Sequence, residues 1–146
     1  MTHKIVTSIA LAIGLFTGNA MAHGDIELGP NKGRILEFST NETMHGEVTE
    51  ADGKVEIAVL DKDMKLVEVK DQELNATAGT REKPAVLAVE KTKDGFVIPA
   101  PKAGEWIIFQ FKLDGSAKPI TARLHYNTTV CDPCKQPEWR CACEKK

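Results

Sequence analysis

The sequence predicts an all-β fold, a single antiparallel β-sandwich of the immunoglobulin-like kind with about seven to nine short strands. Three observations predict this fold class. Apolar and polar residues alternate over short segments between residues 33 and 127. Turn residues separate these segments about every 8–12 positions. No stretch after residue 22 shows the periodicity of an amphipathic helix.

The predicted strands follow one another closely along the chain. They cover residues 33–38, 43–50, 54–61, 65–70, 73–79, 85–92, 95–100, 105–113 and 119–127. The tripeptide Ala-Asp-Gly at 51–53 is typical of a hairpin turn between the second and third strands. Asp94-Gly95 and Asp114-Gly115 mark two further turns.

Strict alternation assigns one face of each strand to the core, because successive side chains of a strand point to opposite sides of the sheet. The predicted inward residues are Met44, Gly46, Val48, Val55, Ile57, Val59, Ile107, Phe109, Phe111, Leu113, Ile120, Ala122, Leu124 and Tyr126. The same rule puts Thr43, His45, Glu47, Thr121, Arg123 and His125 on the outside. Carboxylates such as Glu47 and Glu56 are therefore expected to be solvated.

The N-terminus has the layout of a cleavable secretory signal. Lys4 precedes an apolar run over residues 5–16, and the small-x-small triplet AMA follows at 20–22. The run is shorter than the roughly 20 apolar residues that cross a bilayer. We predict that residues 1–22 are removed, that the mature chain begins at His23, and that the protein is periplasmic or secreted.

Composition excludes several classes of function. The formal net charge is −2, and removal of Lys4 with the signal makes it −3, which gives no electrostatic case for binding nucleic acid or an anionic membrane. No second apolar run has transmembrane length, so no membrane insertion is expected after cleavage. The chain has no G-x-S-x-G, no phosphate-binding glycine loop and no H-E-x-x-H. We therefore predict a non-enzymatic protein.

Three histidines of the predicted mature chain are candidate metal ligands. His23 would carry a free α-amine beside its imidazole, and these two nitrogens can chelate one ion in a T-shaped site that suits Cu(II). His45 is the expected third ligand because alternation puts it outside an early strand, and His125 is the second choice. Met44 and Met64 offer thioethers for Cu(I), although Met44 is expected in the core. The alternative is that all three histidines are simply solvated.

All four cysteines lie in the last sixteen residues, with the spacing C-x2-C-x6-C-x-C. They are Cys131, Cys134, Cys141 and Cys143. Four thiolates can enclose a tetrahedral Zn(II) or bind Cu(I) with fewer ligands. An oxidising compartment and an even cysteine count favour two disulfides instead. A third hypothesis is a redox centre at the C-D-P-C sequence, which lacks the βαβ context of such motifs.

The stretches GPNKGRILE, MHGEVTE and VEIAVLDKDMKLV resemble small periplasmic β-domains of bacteria and the N-terminal β segments of heavy-metal efflux adaptors of the resistance-nodulation-division class. The resemblance covers about residues 23–70. The matching positions are Gly29, Pro30, Gly33, Arg34, His45, Glu47, Asp61 and Asp63. The resemblance implies a stand-alone envelope domain connected with copper or another heavy metal, and carries no catalytic residues. From the turn chemistry alone, Arg34 is expected to pair with an acid on the neighbouring strand.

These observations predict a signal peptide over 1–22, a β-sandwich domain over 23–130 and an irregular cysteine-rich tail over 131–146. The leading functional hypothesis is a metal-binding protein, with copper as the first candidate and zinc as the alternative at the cysteines. It would sequester the metal or hand it to an envelope efflux or metal-accepting protein. The alternatives are a disulfide-stapled interaction domain without metal and a thiol redox protein.

Overall fold

Two antiparallel β-sheets pack face to face in the computed structural model, which describes residues 26–115 and 117–143. The predicted antiparallel sandwich is therefore confirmed. The predicted signal peptide at 1–22 and His23 lie outside the described residues. Within the described ranges, no helix has the length and apolar character that crossing a membrane requires.

Nine strands make up the two sheets of the described chain. They are β1 (Arg34–Glu37), β2 (Met44–Ala51), β3 (Lys54–Asp61), β4 (Glu73–Thr80), β5 (Lys83–Leu87), β6 (Glu90–Lys91), β7 (Gly95–Pro99), β8 (Trp106–Lys112) and β9 (Ile120–His125). The first sheet has the order β1-β2-β3-β7-β6, and the second has the order β5-β4-β8-β9. A single 3₁₀ turn, Glu138–Arg140, lies near the end of the described part.

Two predicted strands differ from the observed ones. The segment 65–70 contributes only an isolated bridge between Leu60 and Leu66. The segment 85–92 is divided, because β5 pairs with β4 in the second sheet whereas β6 pairs with β7 in the first. Val89 lies at this change of sheet and packs against the core. The alternation of side chains does not reveal this change of sheet, because nearly all residues of β5 and β6 are exposed and neither strand has a buried face.

The hairpin between β2 and β3 forms where the Ala-Asp-Gly tripeptide predicted it. Asp52 and Gly53 both adopt positive φ, at 51° and 72°, as the central residues of a type I′ turn require. This turn fixes the register in which Val48 lies opposite Ile57. Both side chains are buried in the core, so the turn and the hydrophobic pattern specify the same pairing.

Aromatic and branched side chains from both sheets fill the core. Ile107, Phe109 and Phe111 of β8 are fully buried as predicted. Phe111 stacks on Phe38 with ring centroids 4.6 Å apart, and this contact joins the second sheet to the end of β1. The prediction for Leu113 is wrong, because β8 ends at Lys112 and Leu113 is half exposed.

The predicted solvent face of β2 is also buried. His45 and Glu47 are 7% and 0% exposed, so the expectation that both project into solvent is wrong. The loop 29–33, which precedes β1, folds over this face. Glu47 Oε1 accepts hydrogen bonds from the backbone N–H groups of Asn31 (2.7 Å) and Gly33 (3.0 Å). Its Oε2 accepts one from Asn31 Nδ2 (2.9 Å).

The two glycines of the loop 29–33 permit this close approach. A Cβ atom on Gly29 would lie 2.6 Å from the Glu47 carboxyl group, and one on Gly33 would lie 2.6 Å from the Val48 carbonyl oxygen. Real Cβ atoms do not approach other atoms so closely. The GPNKGR sequence therefore surrounds one buried carboxylate. Its Asn side chain and backbone amides donate hydrogen bonds to the carboxylate, and its glycines leave room for the close approach.

Replacement of Glu47 by Ala should lower the free energy of unfolding by about 2–4 kcal/mol, because it leaves one buried and two part-buried donors without their acceptor. Glu47→Gln should cost less, since one oxygen can still accept from both backbone amides. Urea unfolding of the full chain measures both effects. Glu56→Ala, an exposed change on neighbouring β3, is the matched control and should stay within about 0.5 kcal/mol of wild type. Equal stability of the Glu47 and Glu56 variants would contradict this account.

Candidate metal centre

The cysteine segment, residues 131–143, is folded against the sandwich. An isolated bridge joins Val130 to Pro137. Inside this bridge, the Cys131 N–H donates to the Gln136 carbonyl and the Lys135 N–H donates to the Cys131 carbonyl, both at 2.8 Å. Lys135 takes a left-handed conformation with φ of 57°, which turns the chain sharply after Cys134. The first two cysteines therefore sit on a closed loop rather than on a free tail.

Trp139 anchors the segment to the domain. Its side chain is 2% exposed and packs on Tyr126 with ring centroids 5.9 Å apart. Its backbone N–H donates to the Asn127 carbonyl, and its carbonyl accepts from Arg34 Nη1, both at 3.0 Å. The expected ion pair of Arg34 with a neighbouring acid is thus replaced by a contact with the cysteine segment 105 positions away in sequence.

A second set of hydrogen bonds holds the short 3₁₀ turn beside the end of β9. Asn127 Nδ2 donates to Glu138 Oε2 at 2.7 Å, and the Glu138 N–H donates to the Thr129 carbonyl at 2.8 Å. The turn carries Trp139 inward and brings Cys141 back toward the loop of Cys131 and Cys134. Cys141 is itself buried, with 7% exposure.

The four cysteine sulfurs converge on one point. All four Sγ atoms lie within 4.8 Å of one another, and the Sγ atoms of Cys134 and Cys141 are 3.4 Å apart. All four are free thiols, because a disulfide would bring two sulfurs to about 2.05 Å. Four thiolates around Zn(II) at about 2.3 Å have sulfur–sulfur separations of about 3.8 Å. The observed cluster is therefore close to the size of a tetrahedral thiolate site.

Hydrogen bonds make the four thiols unequal. The Gln136 backbone hydrogen-bonds to Cys134, and a further hydrogen bond from Cys143 adds to it, lowering the pKa of the Cys134 thiol to about 7. Hydrogen bonds to Cys134 and Cys141 raise the pKa of Cys143 to about 12. The hydrogen bond with Cys141 likewise raises the pKa of Cys131. The thiol of Cys134 therefore has a lower pKa than the thiols of Cys131 and Cys143.

The redox hypothesis finds little support in this geometry. Thiol redox motifs of the C-x-x-C kind lower a thiol pKa at the N-terminus of an α-helix. Cys131 and Cys134 lie on a turn, and the helix that follows them among the described residues is the three-residue Glu138–Arg140. The lowered pKa of Cys134 comes from one backbone amide and its fellow cysteines.

The two described histidines, His45 and His125, are not part of the cysteine cluster. His45 lines a groove on the outer face of the first sheet. His125 is exposed at the end of β9, as predicted. Its ring stacks on Trp106 at 4.9 Å, and its Nε2 lies 3.2 Å from the Gly104 carbonyl oxygen. His45 lies on β2 and His125 on β9, in different sheets. The predicted site of His23 with His45, or with His125 as second choice, stays a prediction because His23 lies outside the described residues.

No protein family, no curated protein and no solved structure matches this chain. The resemblance to efflux adaptor segments therefore stays a prediction.

Sequence reasoning missed the residues that position the cysteines. Arg34 is distant from the four cysteines in sequence. Asn127 and Trp139 are close in sequence but are not cysteines, and none of the three residues is a metal ligand. The one usable signal was Trp139 itself, because a tryptophan is unusual in an otherwise polar, proline-containing tail and large aromatic side chains are normally buried on average.

Replacement of Trp139 by Ala should lower the free energy of unfolding by about 3–5 kcal/mol, because the side chain that docks the cysteine segment is lost. Trp106→Ala provides a matched control, since Trp106 is half exposed, and should cost less than about 1 kcal/mol. Denaturant unfolding followed by circular dichroism measures both. A Trp139 variant as stable as the Trp106 variant would mean that the segment is not docked as described.

Proposed function

We propose that this chain is a non-catalytic metal-binding protein of the bacterial envelope, which holds one thiophilic ion with Cys131, Cys134, Cys141 and Cys143. The observation that carries the proposal is the approach of all four sulfurs to within 4.8 Å of one another. Such mutual convergence is what a single ion requires of its ligands, whereas two disulfides require only that two pairs be close.

Zn(II) fits the cluster best. It is almost always tetrahedral in sites with four protein ligands, and thiolates are among its preferred donors. Cu(I) is the alternative ion and would use fewer of the sulfurs. The backbone contact from Gln136 to Cys134 supports either ion, since outer hydrogen bonds orient and tune the ligands of a metal.

The cysteine site agrees better with storage or transfer of a metal ion than with catalysis. A closed set of four protein ligands leaves no position for a water or substrate, and catalytic zinc sites keep one open. Cys131, Cys134 and Cys143 are only half-buried, so the thiols of a partner can reach the ion from solvent. The predicted signal peptide and the resemblance to heavy-metal efflux segments support an envelope efflux or metal-accepting protein as that partner.

The test is native mass spectrometry of the protein exported through its own signal and never exposed to chelator, followed by Zn(II) titration of the reduced metal-free chain. We expect one ion to bind tightly at the cysteines. Each single Cys→Ser substitution should weaken binding by at least about 100-fold, because changes outside the ligand shell already cost about 10–100-fold. Thr121→Ala, an exposed change on β9 that leaves every cysteine in place, is the control and should leave this affinity unchanged.

Three outcomes are distinguishable. Equal losses at all four cysteines support a four-thiolate site, and unequal losses with two or three essential cysteines support Cu(I)-type ligation. A metal-free exported protein that is lighter by the hydrogens of two disulfides would overturn the proposal. It would favour the alternative of a disulfide-stapled interaction domain, for which the 3.4 Å approach of Cys134 and Cys141 is the supporting contact.

A further inference from the structure

A groove of about 380 Å³ lies on the outer face of the first sheet, remote in sequence from the cysteines. His45 of β2 and Glu37 of β1 line its floor, and Glu27, Glu42 and Met64 line its walls. His45 and Glu37 are directly opposite each other in the β1–β2 pairing. A nitrogen and a carboxylate are therefore neighbours in a groove whose lining also contains two further carboxylates and a thioether, and the proposed thiolate site uses none of these groups.

The His45 ring contains a buried nitrogen whose bonding is incomplete. Its side chain is 8% exposed. Its Nδ1 atom is inaccessible to solvent and makes no hydrogen bond with any residue that the structure describes. Buried polar atoms in proteins are nearly always hydrogen-bonded, and leaving one unpaired costs free energy. A buried nitrogen of this kind, on a side chain that lines the groove, indicates a missing ligand.

Glu37 is close to this nitrogen without satisfying it. Its Oε2 lies 3.2 Å from His45 Nδ1, but the direction of approach is wrong for a hydrogen bond. Two ligand atoms each about 2.0–2.1 Å from one ion lie about 2.9 Å apart in square or octahedral geometry and about 3.4 Å apart in tetrahedral geometry. The observed separation falls between these values, so the pair has the spacing of neighbouring ligands.

Glu37 is held in this position by its other oxygen. The Ser39 hydroxyl and the Ser39 backbone N–H donate to Glu37 Oε1 at 2.9 and 3.2 Å, which leaves Oε2 for the groove. An outer hydrogen bond of this type orients metal-binding carboxylates.

The charges around the groove also favour a cation. Two basic residues, Arg34 and Lys62, line it together with the three acids. Each of them has a partner elsewhere. Arg34 Nη1 donates to the Trp139 carbonyl at 3.0 Å, and Lys62 Nζ lies 3.5 Å from Asp63 Oδ1. Among the described residues, neither cation forms an ion pair with a carboxylate of the groove.

We propose that this groove is a second metal site, which binds a divalent first-row transition-metal ion through His45 Nδ1 and Glu37 Oε2, with Glu42 and Met64 of the groove lining as further donors. Imidazole and carboxylate suit Zn(II) and Cu(II), and the thioether of Met64 adds a preference for copper. The proposal goes beyond the cysteine site and does not depend on it, because the two share no ligand.

The experiment is calorimetric titration of the reduced full mature chain with Zn(II), a probe that does not oxidise thiols. We expect two equivalents to bind, the first at the cysteines. Addition of the second should shift the His45 ring nitrogens in a ¹⁵N-resolved NMR spectrum. His45→Gln and Glu37→Gln should each weaken the second equivalent by at least about 100-fold and leave the first unchanged. His125→Gln is the matched control, and both equivalents should remain.

Other results would overturn the proposal. A single equivalent with an unshifted His45 ring means that the nitrogen is simply paired with Glu37. A second equivalent that survives in the Glu37 variant lies elsewhere on the chain. Because His45 is buried, the result for its variant counts only if circular dichroism shows a native fold. If that variant does not fold, the variant of the half-exposed Glu37 decides the test. Cys141→Ser separates the two proposals, since it should abolish the first equivalent and preserve the second.

Discussion

The buried Glu47 carboxylate is the contact on which much of this structure depends. It accepts three hydrogen bonds from Asn31 and Gly33, and these fix the loop 29–33 over the outer face of β2. The loop leads directly into Arg34, whose guanidinium reaches the Trp139 carbonyl. One carboxylate thereby sets the path of the chain into β1, helps to enclose the groove of His45, and places the residue that ties down the cysteine segment.

The cysteine cluster forms because both ends of its segment are fixed. The bridge between Val130 and Pro137 closes the loop that carries Cys131 and Cys134, and burial of Trp139 brings Cys141 back against them. Most of the free energy for this arrangement therefore comes from docking an aromatic side chain on the sandwich. A metal ion would find its ligands already gathered, which lowers the ordering cost of binding.

The two proposed sites differ in the chemistry of their ligands. Four sulfurs near the C-terminus favour soft or borderline ions, whereas a nitrogen and carboxylates on the first sheet favour harder divalent ions. One side chain lies beside both sites, because Arg34 lines the groove and also hydrogen-bonds the cysteine segment. A protein with both sites would hold one metal ion at the thiolates and a second in the groove, with different ligands at each.

The sequence by itself determined the β-sandwich, the hairpin at Asp52-Gly53 and the inward faces of β3, β8 and β9, because alternation and turn chemistry are local properties. It also identified the four cysteines but left disulfides, a metal site and a redox centre open, with disulfides favoured. Only the tertiary structure decided that Glu47 and His45 are buried, since a preceding loop covers a face that alternation assigns to solvent. Only it decided that the sulfurs converge and that the two histidines separate. Those outcomes depend on contacts between residues far apart in the chain, and no local pattern records them.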